Sequence, residues 1–176
     1  LKDFYDAKKV GGPMLDLHVH DAHFIRVVCG MPKAVQSVGR MRGEVVEQFS
    51  TQFLYDDSEL VVTATSGVIR QQGRGFTHAY EIYLEKATLL FDLAVIDGQG
   101  QTLMPVTVLE SSGKVVRPEL AAGDAFTPFV AELNEVSRAI RTGKPSPLLA
   151  GELARDAVVL CHKQTESVRR GKAVKI

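Results

Sequence analysis

The sequence has few cysteines, no excess of charge of either sign and no long apolar run. Its two cysteines, Cys29 and Cys161, lie in apolar helical segments, which predicts buried reduced thiols and favours the cytoplasm. Lys plus Arg and Asp plus Glu number 21 each, so no basic patch indicates nucleic acid. No stretch is long enough to span a membrane, and the N-terminus has no signal pattern. We therefore expect a small molecule or another protein as the partner.

Several common cofactor and catalytic motifs are also missing. A dinucleotide fingerprint needs G-x-G-x-x-G between a strand and a helix. The two G-x-G runs, Gly73-Arg74-Gly75 and Gly98-Gln99-Gly100, both lack the third glycine and both connect predicted strands. There is no P-loop, no Gly-x-Ser-x-Gly elbow and no Cys-x-x-Cys pair. These absences predict no cofactor-binding site within this chain.

The length and composition are those of one globular domain. The chain has 176 residues, of which 45% are apolar and 24% charged, and this is ordinary for a protein with a sizeable core. We therefore expect residues 1–176 to form a single domain. Because the chain begins with Leu1 rather than Met, we also expect a fragment, a processed product or the ordered part of something longer.

Three of the five histidines fall close together near the N-terminus. The two glycines at 11–12 and Pro13 predict a loop that leads into a helix, because proline is tolerated at the first helical position. The helix is expected to end at Gly30. Ionisable groups among apolar residues are costly unless they are paired or used. This segment is therefore the candidate functional site.

Spacing places three ionisable residues of this helix on one stripe. Asp16, His20 and His23 stand at i, i+4 and i+7, whereas His18 points away from them. Asp16 could accept a hydrogen bond from His20 and raise its basicity, which makes the two a general-base pair. In the alternative interpretation, Asp16 stabilises the helix start and the histidines are satisfied locally. The same residues would supply only part of a metal site, so we predict no metal.

The rest of the chain changes its hydrophobic period from two to 3.6. Alternating segments predict short strands within residues 34–43, 49–55, 60–66, 76–85, 87–93 and 103–109. Helices are predicted from Thr127 to Gly143 and over about 150–170, the first with an apolar stripe. The order predicts an α+β fold with an open, mainly antiparallel sheet of five or more strands and helices on one face. The open face suits pairing of two copies, so we expect a homo-oligomer formed through the sheet.

These residues resemble the C-terminal domain of the glucose-fructose oxidoreductase, inositol dehydrogenase and rhizopine catabolism (Gfo/Idh/MocA) family. The Gly-Gly pair followed by Asp16-x-x-x-His20 is similar to the signature at the head of that domain. The stretch Glu81–Asp92 resembles part of its antiparallel sheet, and the end of the chain, around Ala139–Pro145, resembles its closing helices. The similarity covers nearly all of the chain.

The resemblance implies one half of a two-domain enzyme. Family members use NAD or NADP, held by an N-terminal Rossmann domain that this chain lacks, to oxidise or reduce sugars, cyclitols and related polyols. It implies that His20 and Asp16 are catalytic, and we predict that His23 and His18, close to them in the sequence, contact substrate. The family commonly has Gly at the position of His18 and Asp at that of His23. Its assisting lysine lies in the Rossmann domain, so this chain alone is expected to be inactive.

A non-catalytic domain that binds another protein or a second copy through its sheet is the alternative. In that case the histidine helix would only be packed. A G-x-G-x-x-G strand-turn-helix encoded upstream of Leu1 would favour the enzyme.

Overall fold

The computed structural model describes residues 3–119 and 126–176, which form an α+β fold. Their contacts divide the chain into two compact units, Leu1–Val68 with Phe129–Ile176, and Ile69–Pro128. After a short 3-10 helix at Asp3–Tyr5, the elements in chain order are α1 (Pro13–Asp16), α2 (His18–Cys29), β1 (Ala34–Arg42), β2 (Val45–Leu54), β3 (Val62–Gly67), β4 (Arg74–Tyr83), β5 (Ala87–Ile96), β6 (Gln99–Glu110), β7 (Val115–Val116), α3 (Thr127–Thr142), α4 (Gly151–Arg170) and β8 (Val174–Lys175).

The first unit is built on a four-stranded antiparallel sheet in the order β3-β2-β1-β8. Residues of β2 alternate between buried and exposed from Phe49 to Phe53, as a strand covered on one face must. Helices α1, α2 and α4 pack against the sheet. The buried cluster between helices and sheet consists of Met14, Ala22, Ile25, Val35, Val46, Phe49, Phe53, Ala157, Leu160 and Cys161.

A β-bulge places one carboxylate of this unit among cations. The pairing of β1 with β2 shifts between Arg40 and Met41, and the register of paired residues passes over Glu47. The Glu47 side chain is 2% exposed and accepts from Arg40 Nη2 at 2.8 Å and Arg42 Nη1 at 3.3 Å. The Tyr5 hydroxyl donates to the same carboxylate at 3.2 Å. Buried carboxylates require such partners.

The second unit contains another four-stranded antiparallel sheet, in the order β4-β5-β6-β7. Of its strand residues only Ala94 and Thr107 are buried. Large apolar side chains remain exposed on it, among them Phe76, Leu103 and Val115. The described residues of this unit therefore leave both faces of its sheet largely uncovered.

The α+β class, the antiparallel pairing and the helices on one face are confirmed. The strands form two sheets of four within the described residues, instead of one larger sheet, because β3 pairs with β2 and β4 with β5, with no pairing that joins the two sets. The single-domain organisation expected for residues 1–176 stays a prediction.

Helix α3 follows its sequence pattern closely. It begins at Thr127 and ends at Thr142, just before the predicted stop at Gly143. The side chains of its predicted apolar stripe are exposed: Phe129, Val130, Leu133, Val136 and Ile140. No helix in the described part of the chain has both the length and the apolar character needed to cross a membrane.

Candidate active site

The predicted histidine helix is present but is divided at Leu17. One continuous helix is predicted from Pro13 to Gly30, whereas in the structure α1 ends at Asp16 and α2 starts at His18. Gly12 has φ 77°, and a Cβ there would lie 2.6 Å from the Cβ of Val45. Glycine therefore allows α1 to begin close against β2. Gly30, with φ 79°, ends α2 as predicted.

The outer face of α2 carries two of the predicted site residues. His20 is exposed and His23 is partly exposed, and Asp16 is exposed at the end of α1. Exposed apolar side chains flank them, with Val27 41% and Val28 51% exposed. On such a surface the imidazoles can hydrogen-bond the hydroxyl groups of a ligand, and the aliphatic side chains can pack against its apolar faces.

The predicted hydrogen bond between Asp16 and His20 is not present in this structure. Within residues 3–119 and 126–176, neither side chain has a hydrogen-bond or ion-pair partner. The break at Leu17 lies between the two residues, so they do not share one uninterrupted helix. Their roles stay predictions, and the imidazole of His20 is available to a ligand.

His18 lies on the opposite side of α2, inside the protein. Its side chain is 0% exposed, and its ring packs edge-to-face against Phe49 with centroids 4.7 Å apart. The Nδ1 atom lies 3.1 Å from Asp21 Oδ2, and the Nε2 atom lies 2.9 Å from Gln164 Nε2. Both ring nitrogens are engaged by protein groups. The geometry therefore argues against the predicted substrate contact of His18, because substrate can reach neither nitrogen.

Gln164 of α4 extends this contact into a buried polar network. Its Nε2 donates to Thr51 Oγ1 at 2.9 Å, and the Thr51 hydroxyl lies 2.7 Å from that of Ser37. The backbone N–H of Ser37 donates to Ser167 Oγ at 2.8 Å. The network therefore joins α2, β2, β1 and α4 inside the first unit.

Sequence reasoning did not identify Gln164 as part of the site. The helical period of α4 contained the signal. The buried face of α4 repeats every 3.6 residues and includes Gln164 along with Ala157, Leu160, Cys161 and Ser167. A glutamine on that stripe needs buried partners. The sequence does not say which residue of another element supplies them.

A second, charged contact ties α2 to α4 at the edge of the core. Arg26 Nε donates to Asp156 Oδ2 at 2.8 Å, and Arg155 donates twice to Oδ1, at 2.7 and 3.1 Å. The hydrogen bonds from Arg155, followed by the one from Arg26, lower the pKa of Asp156 below its usual value. Asp156 therefore remains ionised and holds both arginines.

The cysteines are free thiols. Cys161 is fully buried in α4, and burial raises its pKa to about 12. Cys29, at the end of α2, is partly exposed, and burial raises its pKa as well. A protonated thiol is a poor nucleophile. In the described ranges, no three His, Cys, Asp or Glu side chains come close enough to hold a metal ion.

The fold and this surface define an α+β domain that presents a histidine-bearing helix next to a helix-covered antiparallel sheet. The family model for the GFO/IDH/MocA C-terminal domain matches residues 1–90, and the chain belongs to this oxidoreductase family. The resemblance found in the sequence is thereby confirmed. No curated protein sequence is similar enough to this chain to count as a match.

Solved structures share the fold at low sequence identity. Levoglucosan dehydrogenase in complex with NADH is 14% identical, with a TM-score of 0.72 over 100% of this chain and 53% of that one. Myo-inositol 2-dehydrogenase from Lactobacillus plantarum is 19% identical, with a TM-score of 0.59 over 99% of this chain and 51% of that one. The chain spans about half the length of the solved structures that it matches.

Proposed function

We propose that this chain is the substrate-binding half of an NAD(P)-dependent oxidoreductase that acts on a sugar, a cyclitol or a related polyol. The observation that carries the proposal is the exposed His20 imidazole on the outer face of α2, which has no hydrogen-bond partner among the described residues. Family membership supports the reaction class. The names of two relatives, a levoglucosan and a myo-inositol dehydrogenase, support a polyhydroxylated substrate.

In this proposal His20 handles the proton of the reacting hydroxyl. A neutral imidazole accepts that proton as the hydroxyl carbon becomes a carbonyl, and in the reverse direction the imidazolium returns it. Asp16, which precedes His20 across the break at Leu17, orients the His20 ring once substrate is bound. His23, on the same side of α2, is the proposed further contact to substrate hydroxyls.

Neither G-x-G run of this chain forms a dinucleotide cradle in the structure. Gly73 precedes β4, Gly98 lies in the turn between β5 and β6, and Gly100 lies in β6, so neither G-x-G run connects a strand to a helix. Backbone N–H groups at a helix start are what such a cradle needs. We propose that NAD or NADP, which supplies the hydride acceptor, is held by an N-terminal Rossmann domain that pairs with this chain.

The test is the activity of the complete protein toward a panel of sugars and cyclitols with NAD and with NADP. His20→Ala should lower kcat/KM on the order of a hundredfold, because it removes a positioned acid/base. His162→Ala is the matched control, since His162 is an exposed histidine on α4, and it should leave turnover unchanged. Full turnover in His20→Ala would contradict the acid/base role, and no oxidation of any polyol would contradict the function.

A non-catalytic, sheet-mediated interaction is the second candidate. It is favoured by the uncovered second-unit sheet, on which Phe76 is 50%, Leu103 59% and Val115 55% exposed. Exposed apolar surface of this kind marks interaction sites. Sedimentation of the chain should then show self-association, and Leu103→Glu should weaken it. A monomer at all concentrations would contradict self-association through this sheet.

A further inference from the structure

We infer that His18 is a positioning residue, held as the neutral Nδ1–H tautomer by Asp21 and Gln164, and that it sets the orientation in which α2 presents His20. This inference rests on the proposed function for its catalytic consequence. The arrangement of His18 itself can be tested without any activity.

The partners of the two ring nitrogens determine where the proton lies. Asp21 Oδ2, 3.1 Å from Nδ1, is a carboxylate oxygen and accepts, so Nδ1 carries the hydrogen. Gln164 Nε2, 2.9 Å from His18 Nε2, can only donate, so His18 Nε2 accepts. Together the two contacts select one neutral tautomer.

The remaining bonds of the network agree with this direction. Gln164 Nε2 has a second hydrogen, which it donates to Thr51 Oγ1 at 2.9 Å, and Thr51 can then donate to Ser37 Oγ at 2.7 Å. Among the described residues, Gln164 Oε1 is a buried oxygen without a partner. The opposite amide orientation would leave two buried N–H groups unpaired in its place, which costs more. The amide orientation and the tautomer thus support each other.

The bond between His18 and Gln164, together with the Arg26–Asp156 contact, adds direction to the packing that holds α2. The inward neighbours of His18 on α2 are Ala22 and Ile25, whose apolar contacts with the core have no direction. The bond between His18 and Gln164 has a defined geometry, and it joins α2 to a fully buried side chain of α4. At 100° per residue, His20 stands about 200° around the helix from His18. A rotation of α2 that broke the bond between His18 and Gln164 would displace His20 by a matching angle.

The first test is the tautomer of His18. In a two-bond proton–nitrogen NMR spectrum of the ¹⁵N-labelled chain at neutral pH, one of the five histidines should show the Nδ1–H pattern. That pattern should change in Gln164→Met, which keeps the side-chain length and removes the donor. A spectrum in which all five rings are Nε2–H or doubly protonated would overturn the inference.

The second test is the kinetics of the complete protein. Gln164→Met should lower kcat on the order of tenfold and leave KM within about twofold, because a displaced acid/base affects the reaction more than binding. Gln36→Met is the matched control, since Gln36 lies on the exposed face of β1, and it should change neither constant. An unchanged kcat in folded Gln164→Met would overturn the positioning role.

A double variant separates positioning from simple stability. His18→Met with Gln164→Met replaces both polar partners by apolar side chains, which restores much of the stability that one unpaired partner loses. The inference expects kcat to stay low in this variant. Recovery of kcat would show that packing alone orients α2. If the complete protein oxidises no polyol, the proposed function fails, and the NMR result still decides the arrangement of His18.

Discussion

The two faces of α2 each carry a histidine, and the two histidines have different surroundings. On the inner face His18 is fully buried, with both ring nitrogens bonded to protein. On the outer face His20 is exposed and, among the described residues, unbonded. This difference shows that burial and hydrogen bonding, rather than residue type, distinguish a histidine that stabilises the fold from one that can bind a ligand.

The largest difference in stability between the two faces is expected from their aliphatic residues. Ile25→Ala on the inner face should lower the free energy of unfolding by about 2–5 kcal/mol, because it leaves a cavity in the core. Val27→Ala on the outer face should change it by less than about 0.5 kcal/mol. Urea unfolding of both variants measures the contrast. Equal losses would mean that the outer face is packed as well.

A smaller effect is expected where Arg26 reaches across to α4. Asp156→Asn should destabilise the chain by roughly 1–3 kcal/mol, because it removes the charged acceptor of the Arg26 contact. Glu166→Gln, which removes a more exposed partner of Lys163 and Arg170 on the same helix, should cost less than about 0.5 kcal/mol. Comparable losses in the two variants would contradict the structural role given to Asp156.

The same carboxylate predicts a pH dependence. The pKa of Asp156 is lower in the folded chain than its usual value, so its contribution is complete above the unfolded pKa and is lost as pH falls through the folded one. Unfolding measured in acid should therefore show a smaller decline for Asp156→Asn than for the unchanged chain. Identical declines would show that Asp156 does not contribute.

The smallest effect is a difference in reactivity between the partly exposed thiol of Cys29 and the buried thiol of Cys161. Cys29 is partly exposed at the end of α2 and Cys161 is buried with a pKa raised to about 12, so iodoacetamide at pH 8 should label Cys29 first. Mass spectrometry of the labelled peptides checks the order. Because burial raises the pKa of Cys161, the folded chain holds this proton more tightly than the unfolded chain does, so stability should fall as pH rises from the usual thiol pKa toward about 12. Faster labelling of Cys161 would mean that the α2–α4 contact opens readily.

Much of the fold follows from local patterns in the sequence. Pro13 and Gly30 mark helix ends as predicted, and the alternation around Phe49 and Phe53 gives β2. These signals depend on a few neighbouring residues. The division into two sheets depends on which strands pair over long distances, and no local pattern records that choice.

The candidate site was only partly predictable for the same reason. The period of α2 correctly sets His18 apart from His20, but the partner of His18 is Gln164, 146 positions later. The helix breaks at Leu17, between Asp16 and His20, although no proline or glycine at that position predicts a break. Tertiary contacts decide both features.

The most direct test of the contrast between the two faces is urea unfolding of His18→Ala and His20→Ala in the same chain. His18→Ala should lower the free energy of unfolding by about 2–4 kcal/mol, because it leaves a cavity and unpaired buried groups. His20→Ala should stay within about 0.5 kcal/mol of the unchanged chain. Equal losses, or a larger loss for His20→Ala, would contradict the assignment of one histidine to the fold and the other to the ligand.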